Sequence, residues 1–369
     1  MNEERVIENM KDNPKILFDY IKKQKHKDKK IGPLKVGEEY IYDTREICKI
    51  LVEQYNSQYS RSKSTEKITE REINDIKEGD LEDIDFDEDD IAKAIDKLNK
   101  NSAAGPDGIP SIFLINTKNY IKTPLKIILR KSLDEGVIPE LFKLAYITPI
   151  HKGGSKLNPA NYRPVSLTSH VMKVFERVLK VQIAKHLETN NLINNNQHGF
   201  VSGRSTQTQL LQHYSDVFEA LSEGVRIDTV YLDFAKAFDK VNHNILQKKM
   251  TSHRIKGKIG IWIKNFLQNR KYRVVANGVM SEEQDVISGV PQGTVLASIF
   301  FIIMISDIDE NLKNSITRLF ADDTKMSAKI RTEEDIDLLQ RDLDSVYKWA
   351  DENLVEFNES KFEKMNHGH

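Results

Sequence analysis

Two adjacent carboxylates, Asp322 and Asp323, lie between apolar residues in the segment Leu319–Met326, LFADDTKM. The alternation of residues around them predicts a β-strand that enters a tight turn at the Asp pair. Two like charges at the tip of a half-buried hairpin repel each other, so the pair is stable only beside a cation, a basic group or bulk water. The similar pair Asp89-Asp90 lies in an acidic, solvated segment and gives no such indication.

A third carboxylate, Asp233, ends a predicted strand in the segment DTVYLDFAKAFDKV. Nucleotidyl transfer uses two Mg²⁺ ions about 3.5–4 Å apart. Mg²⁺ keeps several waters and takes only one or two protein carboxylates, so three Asp on two adjacent strands would suffice. Sequence spacing cannot join Asp233 to the hairpin, and on its own a helix-cap or turn role explains it better.

The segment Ser288–Leu296, SGVPQGTVL, opens an apolar run of 11 residues, Val295–Ile305. That run is shorter than the roughly 20 residues of a membrane span and predicts a buried helix. A glycine-containing loop at a helix N-terminus presents free N–H groups that suit a phosphate or the edge of a nucleotide. Taken alone, the pattern is better explained as an ordinary strand-to-helix turn.

The chain has 369 residues, 39% of them hydrophobic, which is enough for two or three packed units. The single cysteine, Cys48, excludes an internal disulfide framework and is typical of a reducing compartment. The charged start MNEERVIENM lacks the apolar core of a secretory signal. We therefore expect an intracellular protein, cytoplasmic or nuclear, that does not enter a membrane.

Charge is segregated along the chain although the net charge is only −1. Residues 70–90 contain twelve acidic and two basic residues, whereas 241–276 contain nine Lys or Arg and no acid. A second basic tract, 142–185, has eight Lys or Arg and one Glu. Solvated helix faces explain many such runs, but the missing acids and the interleaved aromatic residues favour a nucleic-acid partner.

The elements that must position these residues follow a mixed α/β pattern after a separate N-terminal region. Residues 1–85 read as a connector, partly mobile, with an amphipathic helix at EICKILVEQYNSQYS. A helix marked by Ile91, Ile95 and Leu98 follows. Further helices are predicted near 118–134, 166–189, 205–223 and 242–268, and strands near 145–151, 227–234, 271–277, 283–288 and 316–327.

The order of these segments resembles the reverse transcriptase of non-LTR (LINE-type) retrotransposons, most closely the Jockey-type group. The resemblance runs from about Ile91 to Met365, and NPKILFDYIKK also resembles the connector that precedes the polymerase. Each block alone would be a weak motif, but eight in the same order are specific. The blocks are SAAGPDGIP, ITPIHKGGSKLNPANYRPVSLTSHVMKVFERVL, NQHGFVSGRSTQTQLL, VYLDFAKAFDKVNH, IKNFLQNRKYRVVANG, ISGVPQGTVL, LFADDTKM and FNESKFEKM.

The resemblance implies an α/β (α+β) right-hand polymerase with an antiparallel palm sheet. The reverse transcriptase domain would span 86–369, with fingers at about 86–225 and palm at about 226–369. Its chemistry would be RNA-directed DNA synthesis from dNTPs on an RNA template and a DNA primer. Two Mg²⁺ ions, with Mn²⁺ as an alternative, would be held by Asp233, Asp322, Asp323 and the backbone carbonyl of Phe234. Lys361 would protonate the leaving pyrophosphate.

Nucleotide-binding residues are also implied by the resemblance. Lys152 and Arg163 would grip the triphosphate, and Gln292 with Gly293 would contact the incoming nucleotide. Phe238 would be a steric gate under the sugar, which disfavours RNA synthesis. On sequence alone, Phe238 reads as a core residue, and Lys152 and Arg163 read as surface bases.

Template or primer contacts are expected from Arg204, next to Gly203 in SGRST, and from Arg270, Lys271 and Arg273. Ser205 can equally be a helix cap. Departures from the family pattern include Val201, where a basic residue is common, and Ala297-Ser298 after the PQG block. Since no endonuclease, primer-grip or thumb segment is recognised, we expect a fragment of a larger polyprotein. The alternative is a catalytically inactive remnant that only binds nucleic acid.

Overall fold

The computed structural model describes residues 30–59 and 68–368. Its helices are α1 Thr44–Asn56, α2 Glu70–Ile73, α3 Glu88–Asp96, α4 Ser111–Asn116, α5 Lys118–Glu135, α6 Glu140–Lys143, α7 His170–Thr189, α8 Thr206–Ser222, α9 His243–Ser252, α10 Gly257–Leu267, α11 Ala297–Met304 and α12 Glu333–Glu352. Its strands are β1 Leu34–Val36, β2 Glu39–Ile41, β3 Leu144–His151, β4 Tyr162–Leu167, β5 Arg226–Leu232, β6 Lys271–Ala276, β7 Val279–Met280, β8 Gln284–Asp285, β9 Ile316–Phe320, β10 Asp323–Ile330 and β11 Glu363–His367. The segment NPKILFDYIKK lies outside the described residues, and the predicted mobile stretch RSKSTEKITERE lies partly outside them.

A four-stranded antiparallel sheet forms the palm, in the order β11-β5-β10-β9. Strand β5 pairs with β10 from Arg226 opposite Ile330 to Leu232 opposite Thr324. Because side chains alternate across a strand, Val230, Leu232 and Met326 share one face, which packs into the main hydrophobic core. On the other face, Ile227 packs with residues of α8. The antiparallel palm sheet expected from the resemblance is confirmed.

A second sheet contains β4-β3-β6-β7, with β8 also paired to β6. Strands β3 and β4 are antiparallel, whereas β3 and β6 are parallel. The domain bounds from the sequence remain predictions. Strands β6 to β8 belong to this sheet of the fingers, although their residue numbers lie within the span predicted for the palm.

Residues 34–59 pack on the fingers sheet. Leu51 and Tyr55 of α1 share a hydrophobic cluster with Ala145 of β3 and with Tyr272 and Val274 of β6. The amphipathic helix predicted there is observed, and Asp43 caps it by accepting bonds from the first backbone amides. The end of α1 therefore lies close to the fingers strands.

Several predicted bounds differ from the observed ones for local reasons. The helix predicted over 242–268 is divided into α9 and α10, because Arg254 and Gly257 adopt left-handed backbone with φ of 63° and 53°. The helix predicted from 166 begins at His170, where the Ser169 side chain caps the amide of Met172. The apolar run does form a buried helix, α11. Within the described residues, no helix is both long and apolar enough to cross a membrane.

Candidate active site

Asp233 follows the last residue of β5 and lies at the edge of the palm sheet. Its carboxylate accepts a hydrogen bond from Lys361 Nζ at 2.6 Å, and the two side chains are 23% and 53% exposed, respectively. Its backbone carbonyl accepts from the amide of Asn358 at 2.8 Å. The segment before β11 therefore brings Lys361 onto the strand end, across 128 residues of sequence.

The hairpin between β9 and β10 turns at Ala321 and Asp322, and Asp323 begins β10. Ala321 has a φ of 54°, which is unusual for a residue with a side chain. The turn is held by Gln197, whose Oε1 accepts from the amide of Ala321 at 2.9 Å. Since Thr324 pairs with Leu232, the register brings the Asp pair to the same sheet edge as Asp233.

The charges of Asp322 and Asp233 act on the neighbouring carboxylate of Asp323. Partial burial raises the pKa of Asp323, and the negative charges of Asp322 and Asp233 raise it further. Among the described residues, no group of three or more His, Cys, Asp or Glu side chains is arranged to hold a metal ion. The donor chemistry fits a hard divalent cation, since three carboxylates lie along one edge of the sheet. The side chains do not converge on one point, and Asp233 is turned toward Lys361.

Four cations, Lys152, Arg163, Lys236 and Lys361, lie close to one another near the end of β5. Lys152 follows β3 and Arg163 lies in β4, and both are exposed. Desolvation lowers the pKa of Lys236, the negative charge of Asp239 opposes this, and Lys152, Arg163 and Lys361 lower it further. The structure thus gathers residues from the fingers, from the end of β5 and from the segment before β11. Sequence reasoning missed Lys236, although its place three residues after Asp233 was a usable signal.

The two aromatic residues after β5 are both packed. Phe234 is buried and stacks on Phe357, with ring centroids 4.7 Å apart. Phe238 is partly buried and stacks on Phe301 of α11 at 4.8 Å. The ring of Phe238 therefore packs against the hydrophobic core on one side. This arrangement is compatible with a rigid steric gate and with an ordinary core residue.

The PQG loop, Pro291–Gly293, lies between the fingers and the palm. Gln292 donates from Nε2 to both carboxylate oxygens of Asp239, at 3.1 and 2.9 Å, and its carbonyl accepts from the amide of Ser166 at 3.0 Å. Gly293 has a φ of 110°, and a Cβ there would lie 2.9 Å from the Ser166 carbonyl oxygen. Desolvation raises the pKa of Asp239 to about 6, opposed by the bond from Gln292. Only glycine fits this approach of the loop to β4.

The predicted template contacts do not share one surface. Arg270 is 1% exposed, donates to the Phe266 carbonyl and lies over the Phe266 ring, so the predicted nucleic-acid contact does not fit its position. Arg204 donates from Nη1 to the carbonyls of Asn194, Asn195 and Gln197, and so it holds a loop together.

Lys271 and Arg273 are on β6 of the fingers sheet, and both pair with Glu283. Neither residue is a free cation. Their role as template contacts stays a prediction, and any nucleic acid there would compete with Glu283.

Comparison with known proteins assigns the family. Residues 150–368 match the family described as reverse transcriptase (RNA-dependent DNA polymerase). The chain belongs to this reverse transcriptase family. It is 29% identical over 299 residues to the probable RNA-directed DNA polymerase from transposon X-element of Drosophila melanogaster, covering 79% of this chain and 33% of that protein. The predicted likeness to non-LTR, Jockey-type reverse transcriptases is confirmed.

Two further likenesses were found, one to a curated relative and one to a solved structure. The RNA-directed DNA polymerase from mobile element jockey of Drosophila melanogaster is 26% identical over 333 residues, which is 87% of this reverse transcriptase chain and 34% of the relative. Apo telomerase from Candida Tropicalis, truncated from its C-terminal domain, aligns with a TM-score of 0.48 at 13% identity, covering 67% of this chain and 55% of that one. The chain spans about a third of the length of the X-element and jockey proteins.

Proposed function

We propose that this chain catalyses RNA-directed DNA synthesis, extending a DNA primer on an RNA template with dNTPs. The observation that carries the proposal is the meeting of Asp233, Asp322 and Asp323 at one palm edge, beside a group of cations. Carboxylates bind the hard cations that support phosphoryl transfer, and lysine and arginine bind the triphosphate. The family match supports the same chemistry.

Asp233 and Asp322 would hold two Mg²⁺ ions, with Asp323 less directly engaged and the Phe234 carbonyl as a further oxygen ligand. Ions held there would lower the pKa of the attacking primer hydroxyl and neutralise charge on the leaving pyrophosphate. Lys152, Arg163 and Lys236 would bind the triphosphate. Lys361 would release Asp233 to the metal and give a proton to the leaving pyrophosphate, since its ammonium group already lies at the site.

The first prediction tests this assignment directly. Asp233→Asn and Asp322→Asn should each lower primer extension by about a thousandfold, which corresponds to about 4 kcal/mol of barrier. Melting temperatures should stay close to that of the original chain, because the Asp233 side chain is partly exposed and Asp322 lies in a turn. The measurement is Mg²⁺-dependent extension of a labelled DNA primer on RNA.

Asp344→Asn is the matched control, because within residues 30–59 and 68–368 this carboxylate bonds only Gln340, one turn earlier in α12. Its activity should equal that of the original chain. Substantial synthesis by either active-site variant would refute the assignment of the aspartates. Binding of the primer-template without any extension by the original chain would instead favour the inactive nucleic-acid-binding alternative.

A further inference from the structure

A buried acid on α7, Glu176, connects the fingers to the start of α11. It is the one acidic residue between positions 142 and 185, and its exposure is 0%. Its Oε2 accepts from the amide of Val295 at 2.6 Å and from the amide of Leu296 at 3.1 Å. The first amides of a helix lack partners within the helix, and Leu296 makes no side-chain cap bond. Glu176 therefore binds, from a different helix, the two backbone amides that immediately precede α11.

A second contact joins the same two helices one turn further along. Lys180, also on α7, donates from Nζ to Ser298 Oγ at 2.8 Å. The buried Arg270 lies close enough to attract the Glu176 carboxylate, although the two make no ion pair within 4.0 Å among the described residues. Glu176 Oε1 has no hydrogen-bond partner in the described part of the chain. Burying an acidic side chain with one unpartnered oxygen is costly. We therefore expect its two bonds to the amides before α11 to serve a function that offsets this cost.

The two amides that Glu176 holds end the loop that contains Gln292. On the other side of this loop, the amide of Val290 donates to the Phe238 carbonyl at 2.8 Å. In the middle, Ser166 binds the carbonyl of Gln292. Glu176 therefore anchors the loop on its C-terminal side, at Val295, which lies three residues after Gln292. Without this contact, the loop would lose its anchor on the α11 side, and within the described part of the chain Gln292 would be held only by its bonds with Ser166 and Asp239.

We propose that Glu176 is a positioning residue for the incoming nucleotide, an inference that rests on the proposed polymerase function. It does not touch the substrate. It fixes the backbone at Val295 and Leu296. Through this backbone it determines the position of Gln292 and Gly293 beside Ser166 of the fingers. Its loss should weaken binding of the nucleotide more than it slows the chemical step.

The test is single-nucleotide incorporation on a primed RNA template with the full chain. Glu176→Ala should raise the KM for dNTP by about tenfold, or 1.4 kcal/mol, with kcat changed by less than about threefold. Glu176→Gln keeps one oxygen that can accept both amides, so its KM should return close to that of the original chain. A purely structural role would lower the melting temperature without this division between KM and kcat.

Asp342 offers a matched control, because its buried carboxylate also accepts two backbone amides, those of Lys313 and Asn314, at 3.2 and 2.8 Å. Asp342→Ala should lower the melting temperature while leaving the KM for dNTP unchanged. An unchanged KM in Glu176→Ala would overturn the inference. If Glu176→Ala does not fold, Glu176→Asp decides, because the shorter side chain cannot keep both amide bonds, and an unchanged KM there would overturn the inference equally. An original chain that incorporates nothing would instead refute the proposed function itself.

Discussion

At the scale of single residues, Phe238 has two physical roles that one substitution can separate. As a gate, its ring would collide with a 2′-OH. As a core residue, it fills space against Phe301. Phe238→Val should raise the efficiency of ribonucleotide incorporation relative to deoxyribonucleotide incorporation, because the obstacle to the 2′-OH is removed. The measurement is the ratio of kcat/KM for rNTP and dNTP on one RNA template.

A melting curve of the same variant provides the control for packing. Truncation of a buried Phe costs about 3–5 kcal/mol, and less is expected here because Phe238 is only partly buried. An unaltered sugar preference with a lowered melting temperature would assign Phe238 to the core. The proposal that dNTPs are the substrates would then be supported by the family match alone.

Asp239 makes stability depend on pH in a direction that its environment fixes. Desolvation raises its folded-state pKa to about 6 from an ordinary value of 3.8. The folded protein therefore binds this proton more tightly than the unfolded chain, and stability from this residue is lost as pH rises through about 6. Asp239→Asn removes this pH dependence of stability. The melting temperature of the variant should therefore rise relative to that of the original chain as the pH increases from 4 to 7. The gain corresponds to at most about 3 kcal/mol.

Melting temperatures of both proteins across this pH range provide the check, because their difference cancels every other titrating group. A difference that stays constant with pH would mean that Asp239 titrates normally. The side-chain amide introduced by Asp239→Asn can still accept one hydrogen bond from Gln292, which limits any separate effect of the lost contact.

At the scale of elements, the sequence predicts strands and helices well where apolar residues are buried. The alternating apolar residues in VYLDF predict β5, and the long apolar run predicts α11, because both elements are largely buried in the fold. The break between α9 and α10 was not predictable from hydrophobic periodicity, since it depends on left-handed backbone at Arg254 and Gly257. Sheet membership of β6 depends on a parallel pairing with β3 across more than 100 residues, which no local pattern encodes.

The site shows the same division between local and distant information. The motif order identifies Asp233, Asp322 and Asp323, but the contact of Lys361 with Asp233 depends on the path of the chain before β11. Glu176 gave no local signal beyond being the lone acid in a basic tract. Its role becomes visible only when α7 and α11 are packed together.

The loop held by Arg204 gives an element-scale prediction. Its guanidinium satisfies three backbone carbonyls, and Gln197 of that loop in turn binds the Ala321 amide at the Asp hairpin. Arg204→Ala should lower the free energy of unfolding by about 1–3 kcal/mol, because carbonyls lose their partner. Chemical denaturation measures this loss. Unchanged stability together with weaker template binding would support the template contact predicted from sequence instead.

At the scale of the whole molecule, the separated charges in the sequence largely meet in the fold. Arg254 and Lys256 of the basic tract pair with Asp80, and Lys258 pairs with Asp83. Both aspartates belong to the acidic stretch 70–90. The absence of acids within 241–276 therefore reflects partners supplied from elsewhere in the chain as much as a polyanion outside it. Exposed, unneutralised cations are a better guide to the nucleic-acid surface than the tract.

Salt dependence of primer-template binding tests that distinction. Affinity for an RNA/DNA duplex should fall as salt rises, with each phosphate contact adding about 0.7–0.9 to the slope of log affinity against log salt. Measured without dNTP, Lys152→Ala with Arg163→Ala should flatten the slope by about 1–2, because both cations are exposed and no triphosphate then neutralises them. Lys271→Ala with Arg273→Ala is the matched pair of neutralisations. It should leave the slope almost unchanged, because Glu283 already neutralises these side chains. If Lys271→Ala with Arg273→Ala flattened the slope more than Lys152→Ala with Arg163→Ala, the duplex would be assigned to the basic tract 241–276. Lys152 and Arg163 would then be assigned to the triphosphate alone.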